Sequence, residues 1–310
     1  MEDKAIQLCA IYAARPFRLD LTVGALRRAP SNQVDRWDGQ VYRRVLTIGS
    51  RAFEVSMSQA GPDMSVQTQW QGVGFGAERK GVILPMLSRM LGLNLALDEW
   101  TRRVGDDARL RRLAGDAAGL KPVRFPTIFE ALANAIIFRE TSLSDGMAAM
   151  NRLCERLGPR HGEAFGFPSP SDLASCSAND LRALGWNAGK GEALLRLSRQ
   201  IVEGTLDVDA MDAMEDAALL ARLAQLPGIG RWEAEFVALR GFGRLDAVLA
   251  GDAGLLDAAQ SWLGLAERPV SERLREVLSA WSPFRGMVCF HLQRRAGTPP
   301  TASSQSARLR

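Results

Sequence analysis

The chain has 310 residues, 46% of them hydrophobic, and carries 39 Lys+Arg against 35 Asp+Glu, for a formal net charge of +4. That length allows two domains with cores of their own, and no apolar run reaches the roughly 18 residues of a membrane-spanning helix. A pI near 9.1 is compatible with nucleic acid as a partner. Cys9, Cys154, Cys176 and Cys289 lie far apart without metal-ligand spacing, and His161 and His291 are the only histidines. A disulfide framework, a zinc centre and a histidine-based hydrolase are therefore all disfavoured. The opening MEDKAIQLCAIYAARPF is acidic at its start and has no clear cleavage site, so the expectation is a cytoplasmic protein without a secretory leader.

The first 97 residues read as α+β. Phe17 to Val23 alternates apolar and polar like a half-buried strand. Tyr42–Ile48 and Ala52–Met57 are further strands, with Gly49-Ser50-Arg51 as their hairpin turn. Leu26-Arg27-Arg28 before Pro30 is a short helix, and Val66–Val73 and Gly81–Leu84 complete an antiparallel sheet. From Asp98 the pattern turns helical. The basic run Arg102, Arg103, Arg109, Arg111, Arg112 is either a solvated face or a phosphate contact. Thr127 is an N-cap with Glu130 three residues on as a capping box; the helix to Phe138 points Phe129, Leu132, Ile136 and Ile137 inward. Further helices begin at Ser142, Ser177 and Gly189, and after residue 252 at Leu255 and Glu272, with a last one through Arg295. The tail from Gly297 is polar and expected to be disordered. The predicted division is 1–97, 98–296 and 297–310.

The most informative stretch is Leu226 to Leu256, LPGIGRWEAEFVALRGFGRLDAVLAGDAGLL. A tight turn, Leu226 to Gly230, precedes a helix from Arg231 to Leu239 that sets Trp232, Phe236 and Leu239 on one face. A glycine-punctuated loop then delivers Asp252 to the start of another helix. Gly228 and Gly230 can take positive φ. The amides of Gly228, Ile229 and Gly230 are then expected unpaired at a helix N-terminus, an anion site that binds phosphate without reading sequence. An ordinary helix-to-helix turn is the plainer alternative.

Together, LPGIGRW, ALRG and the Asp of GDAGLL resemble the helix-hairpin-helix and Gly/Pro-Asp element of base-excision DNA glycosylases, and within them the 3-methyladenine DNA glycosylase II (AlkA-like) family. Arg36-Trp37-Asp38-Gly39, Trp186 to Lys190 and the Trp281-Ser282-Pro283-Phe284-Arg285 piece resemble the same family, so the likeness spans roughly residues 10 to 295. The resemblance implies an N-terminal α+β domain with an antiparallel sheet, followed by a mostly α-helical hairpin domain. It implies a nucleoid-associated enzyme acting on double-stranded DNA that contains damaged bases, with no required cofactor; a monomer is expected because the sequence shows no coiled-coil or swap signal, and no membrane is expected because no apolar run is long enough. A monovalent cation on the carbonyls of Ala224, Leu226 and Ile229 is implied as a structural ion. Some relatives carry an iron–sulfur cluster on a compact cysteine run near the C-terminus, and this chain lacks that run.

Cleaving an N-glycosidic bond builds positive charge on the sugar, and one carboxylate suffices to stabilise it when the leaving base is already cationic. Asp252 is the expected catalytic group; its bland alternative is a helix N-cap, and both roles can coexist. Bifunctional relatives use a lysine in the helix after the hairpin; this chain has Trp232 there, implying a monofunctional enzyme that leaves an abasic site. Trp232 and Phe236 fall where the family carries pocket aromatics for the flipped-out base, against a plain core role.

Several positions depart from the family pattern. Ala253 and Gln293 replace aromatics, and Phe138-Arg139-Glu140-Thr141 replaces a Gly-Gln-containing stretch. A carboxylate at Glu140 is a poor wedge for the emptied DNA stack, which leaves Arg139 or Phe138 for that role. Arg285 either contacts a phosphate or caps an internal carboxylate. The rival reading is a damage- or structure-specific DNA binder of the same family with weak, altered or no excision. A nuclease or lyase is opposed by the absent lysine and metal-carboxylate cluster.

Overall fold

The computed structural model describes residues 6–49, 51–59, 66–71 and 77–296. The expected disordered tail, Ser50 of the hairpin turn and residues 72–76 lie outside the described residues. The chain divides into two compact units, one of residues 1–97 and 117–244, the other of residues 98–116 and 245–310. The chain passes between them at 97/98, 116/117 and 244/245, so the stretch expected as one helical domain contributes to both.

The first unit opens with a five-stranded antiparallel sheet. Its strands are β1 (Ile6–Ile11), β2 (Arg36–Trp37), β3 (Val41–Ile48), β4 (Arg51–Gln59) and β5 (Val66–Gln71), in the order β1-β5-β4-β3-β2. β3 and β4 form the expected hairpin, paired from Val41↔Ser58 to Ile48↔Arg51. Two expected strands are helices instead. Phe17–Val23 runs into α1 (Leu19–Arg27), whose buried Leu19, Thr22, Val23 and Leu26 follow helical spacing; the short alternation was part of this longer period. Gly81–Leu84 lies within α2 (Ala77–Leu91), where Ile83, Leu87, Met90 and Leu91 are buried. The Leu26–Arg28 piece is the end of α1 and its C-cap.

The second unit begins with α3 (Asp98–Asp106) and α4 (Ala108–Ala114), which carry the basic run. Back in the first unit, α5 (Ile128–Phe138) is buried along its whole length, and further helices follow it. These are α6 (Leu143–Leu157), the short α7 (Pro170–Ala174) and α8 (Ala178–Ala183), α9 (Ala188–Val202), α10 (Asp216–Leu223) and α11 (Arg231–Val237). Ser142, Ser169, Ser177 and Asn187 each cap the helix that follows them. The second unit closes with α12 (Ala253–Leu263), α13 (Ser271–Leu278) and α14 (Arg285–Ala296), with α12 packed on α14 and both on α4. Among the described residues, no helix is long and apolar enough to cross a membrane.

One buried ionic cluster pins α5 to the sheet. Thr127 caps α5 by accepting from the Glu130 N–H, but Glu130 does not return the favour as a capping box. Its carboxylate turns inward and accepts from Nη2 of Arg44 on β3. Arg44 Nη1 donates to Asp35 Oδ1 at 2.6 Å, which also accepts from the Tyr42 hydroxyl at 2.7 Å. All four side chains are buried.

Candidate functional site

The hairpin turn joins α10 to α11 within the first unit. Gly228 adopts φ +73°, and a Cβ there would lie 2.5 Å from Cβ of Ala193, so glycine is required on both counts. Gly230 departs from expectation: its φ of −94° and ψ of −165° are extended. The three turn amides are not all free either. Ile229 N–H donates to the Leu226 carbonyl at 3.1 Å, and Gly230 N–H donates to Oε2 of Glu233 at 2.9 Å. The sequence carries this second bond as Glu at the third helical position. The first turn of α11 receives no side-chain cap, so amides of Arg231 and Trp232 remain at its positive end. After Val237 the helix widens into a π-helical turn, Ala238–Phe242, ended by Gly243 at φ +76°.

The end of α5 is tied to this turn. Arg139 donates from Nη1 to the Gly228 carbonyl at 3.3 Å. Lys190 donates from Nζ to the carbonyls of Ile137 at 3.1 Å and Arg139 at 2.5 Å, and to the Thr141 hydroxyl. Its ammonium thus satisfies carbonyls at the α5 terminus; burial and the nearby Arg139 lower its pKa. Glu140 is exposed with φ +49°. Phe138, one of two candidates for gap filling, is instead a core side chain.

Trp232 and Phe236 come together as expected, stacked with ring centroids 5.4 Å apart. Phe236 is buried and also meets Phe125 at 5.9 Å, whereas Trp232 is half-buried. Arg28, the C-cap of α1, reaches the same cluster. Its Cζ lies 3.9 Å from the Phe138 ring centroid and 5.8 Å from that of Phe236. The two residues meet across more than 100 positions of chain, so no local pattern announced them.

In the second unit, Asp252 is the N-cap of α12 and half-buried. Its Oδ1 accepts from Leu255 N–H at 2.9 Å, and its Oδ2 accepts from Nε2 of Gln293 on α14 at 2.8 Å. The departure at Gln293 therefore has a use: an amide orients the carboxylate where the family pattern has an aromatic. Each oxygen retains accepting capacity. Ala253 is exposed beside it. Arg285 resolves in favour of an internal carboxylate, pairing with Asp246 through Nη2 at 2.5 Å. Within the basic run, Arg103 bonds Glu99 and the Ser282 carbonyl.

α14 also carries His291, buried and stacked on Trp100 at 5.5 Å, with neither ring nitrogen hydrogen-bonded. Burial pushes its pKa down to about 3. The unfolded imidazole takes a proton below about pH 6.5 whereas the folded one stays neutral. Stability is thus full above pH 6.5 and lost as pH falls towards 3, by about 1.4 kcal/mol per unit. The difference in urea-unfolding stability between wild type and His291→Phe is expected to follow this slope between pH 7 and 4; a difference that does not change with pH would refute the assignment.

The carbonyls of Ala224, Leu226 and Ile229 are oxygen donors of the sort a monovalent cation accepts, although the Leu226 oxygen also receives the Ile229 amide. Among the described residues no group of His, Cys, Asp or Glu side chains is arranged to hold a metal ion.

The family model described as HhH-GPD superfamily base excision DNA repair protein matches residues 134–283, taking in the hairpin and Asp252. DNA-3-methyladenine glycosylase 2 of Escherichia coli is 27% identical over 92% of this chain and 96% of its own. DNA-3-methyladenine glycosylase of Bacillus subtilis is 20% identical over 90% and 93%. Among solved structures, 3-methyladenine DNA-glycosylase from Archaeoglobus fulgidus superposes with a TM-score of 0.80 at 20% identity, over 94% of this chain and 98% of that one.

Proposed function

Since this chain belongs to the HhH-GPD superfamily of base excision DNA repair proteins, on its AlkA-like branch, we propose that it is a monofunctional DNA glycosylase that hydrolyses the N-glycosidic bond of alkylated bases in double-stranded DNA. The observation that carries the chemistry is the Asp252 carboxylate, held at both oxygens by Leu255 N–H and the Gln293 amide. A carboxylate fixed in advance needs no reorganisation as positive charge grows on the sugar. As the C1′–N bond breaks, its electron pair leaves with the base. Asp252 stabilises the oxocarbenium-like sugar and orients the water whose oxygen bonds to C1′ and whose proton is released. Absence of strand nicking is supported by Trp232 at the lyase-lysine position and by Lys190, whose ammonium is committed to the α5 carbonyls.

The flipped base stacks on Trp232 beside Phe236, and the turn of Gly228, Ile229 and Gly230 approaches a phosphate through the first-turn amides of α11. Arg139, held against the turn, enters the gap left in the stack. The carbonyls of Ala224, Leu226 and Ile229 would hold a monovalent cation, which would stiffen the turn, and the protein acts as a monomer. Incubation with methylated duplex DNA, with released bases resolved by chromatography, tests the reading. Free alkylated bases and an intact strand before alkali are expected; no release above background, or nicking without alkali, would refute it. Trp232→Ala is expected to slow release about 5- to 100-fold, the worth of one aromatic stack, and unchanged single-turnover rates would remove Trp232 from the pocket.

A further inference from the structure

Gln293 holds Asp252 with one end of its amide and leaves the other end open. Its Nε2 donates to Asp252 Oδ2 at 2.8 Å. Chemistry dictates this orientation: an ionised carboxylate only accepts, so the amide nitrogen faces it and the amide oxygen does not. Among the described residues, no protein group donates to that Oε1, and the half-buried side chain does not seal it from solvent. Both residues belong to the second unit, Asp252 as the cap of α12 and Gln293 on α14, and the two helices pack together. The two arginines that follow on α14 are bonded elsewhere. Arg294 pairs with Asp116, and Arg295 donates to the carbonyls of Leu113 and Arg112.

The carboxylate and the amide oxygen form a pair of acceptors, linked by one hydrogen bond and separated by little more than the width of the amide. A water beside them can donate one hydrogen to each, with ordinary hydrogen bonds of about 2.7–2.8 Å. Both its hydrogens are then fixed, and a lone pair on its oxygen is turned outward to attack. An aromatic at position 293 offers no such acceptor. We infer that Gln293 is a water-positioning residue, whose Oε1 shares with Asp252 the task of holding the nucleophilic water. The inference rests on the glycosylase reading and on Asp252 as its carboxylate. As the C1′–N bond breaks, its electron pair leaves with the base, and the water oxygen bonds to C1′. The proton that this oxygen loses passes to the Asp252 carboxylate and from there to solvent. Gln293 exchanges no proton; it aims the water and keeps its own N–H on Asp252 throughout.

Methanol separates this role from a merely structural one, because it has one hydroxyl hydrogen where water has two. When methanol is the nucleophile, its oxygen bonds to C1′, its hydroxyl proton goes to Asp252, and the product is a methyl glycoside in place of the abasic site. Methylated duplex DNA is incubated with wild type, Gln293→Leu and Gln293→Glu in one fixed water–methanol mixture. Mass spectrometry of the product strands gives the ratio of methyl glycoside to abasic site. Wild type is expected to disfavour methanol, which cannot donate to both acceptors. Gln293→Leu removes one acceptor and is expected to raise the ratio about 2- to 10-fold, the worth of one hydrogen bond, alongside slower base release. Gln293→Glu, sharing one proton with Asp252, keeps an acceptor oxygen and is expected to stay within about twofold of the wild-type ratio. A residue that only braces Asp252 would slow release in Gln293→Leu and leave the ratio unmoved. That result, or no methyl glycoside from either protein, would overturn the inference and leave the glycosylase reading standing. No base release by wild type would overturn that reading, and this inference with it. Melting curves in the same mixture accompany each variant; should Gln293→Leu not fold, Gln293→Met, which also lacks the amide oxygen, is read by the same ratio.

Discussion

Asp252→Asn is expected to lower single-turnover base release by about 10²- to 10³-fold, the usual worth of one preorganised electrostatic contact, while melting stays close to wild type. The two readouts separate because the substitution removes the charge and little else. Asn is as good a helix N-cap as Asp, so its side-chain oxygen still accepts Leu255 N–H in place of Oδ1. The other arm now presents an amide to Gln293, whose own amide can turn to offer oxygen instead of Nε2. The neutral side chain cannot stabilise positive charge on the sugar. A variant that keeps full base release would show Asp252 to be a cap alone; one that loses release together with its fold would show the cap to matter more than the charge.

The largest expected effect on stability is at Arg44. Its guanidinium is shared by Asp35 and Glu130, with the Tyr42 hydroxyl on the same Asp35 oxygen. Arg44→Met leaves two carboxylates facing each other without a cation and is expected to cost about 3–5 kcal/mol, read as a lower urea midpoint at an unchanged slope. The cluster also carries a pH signature. Two carboxylates share one guanidinium, and burial first, with Asp35 adding, pushes Glu130 up to about 7 from its ordinary value of 4.5. The folded state therefore holds a proton that the unfolded state has released between those values. The sign is fixed: this contribution is present at pH 4.5 and below and is lost as pH rises through 7. Glu130→Gln is expected to abolish that loss. Its window slopes opposite to that of His291, so the two variants tell the groups apart; a wild-type profile unchanged by Glu130→Gln would place the proton elsewhere.

Much of this was legible in the chain. LPGIGRW gives a turn whose glycine at 228 is fixed by φ +73° and by Ala193 against it. Asp after Gly ahead of an apolar period gives a capped helix, and Asp252 is that cap. Both are local: each depends on residues within a turn of chain, where sequence speaks directly. The failures have a common cause as well. Phe17–Val23 alternates over a span too short to separate a period of two from one of 3.6, and only the later Leu26 favours the helix. The spacing of Glu130 from Thr127 allows a local cap; a buried arginine 86 residues away competes for the same carboxylate and wins, since an uncompensated guanidinium in the core costs more than an unmade cap bond.

What the sequence determined by itself is the family, the order of the helices in the second half, the hairpin turn and the one carboxylate. Each is carried by neighbours in the chain, through backbone conformations only certain residues adopt and side chains that bond a few positions away. Tertiary structure alone decided what those groups face. It set Gln293 on Asp252, Asp246 on Arg285, Arg44 between Asp35 and Glu130, and Arg28 on Phe138 and Phe236. These contacts join residues 9 to more than 200 positions apart. Their energies come from burial and from the low dielectric of a packed interior, which exist only once the chain has folded around them.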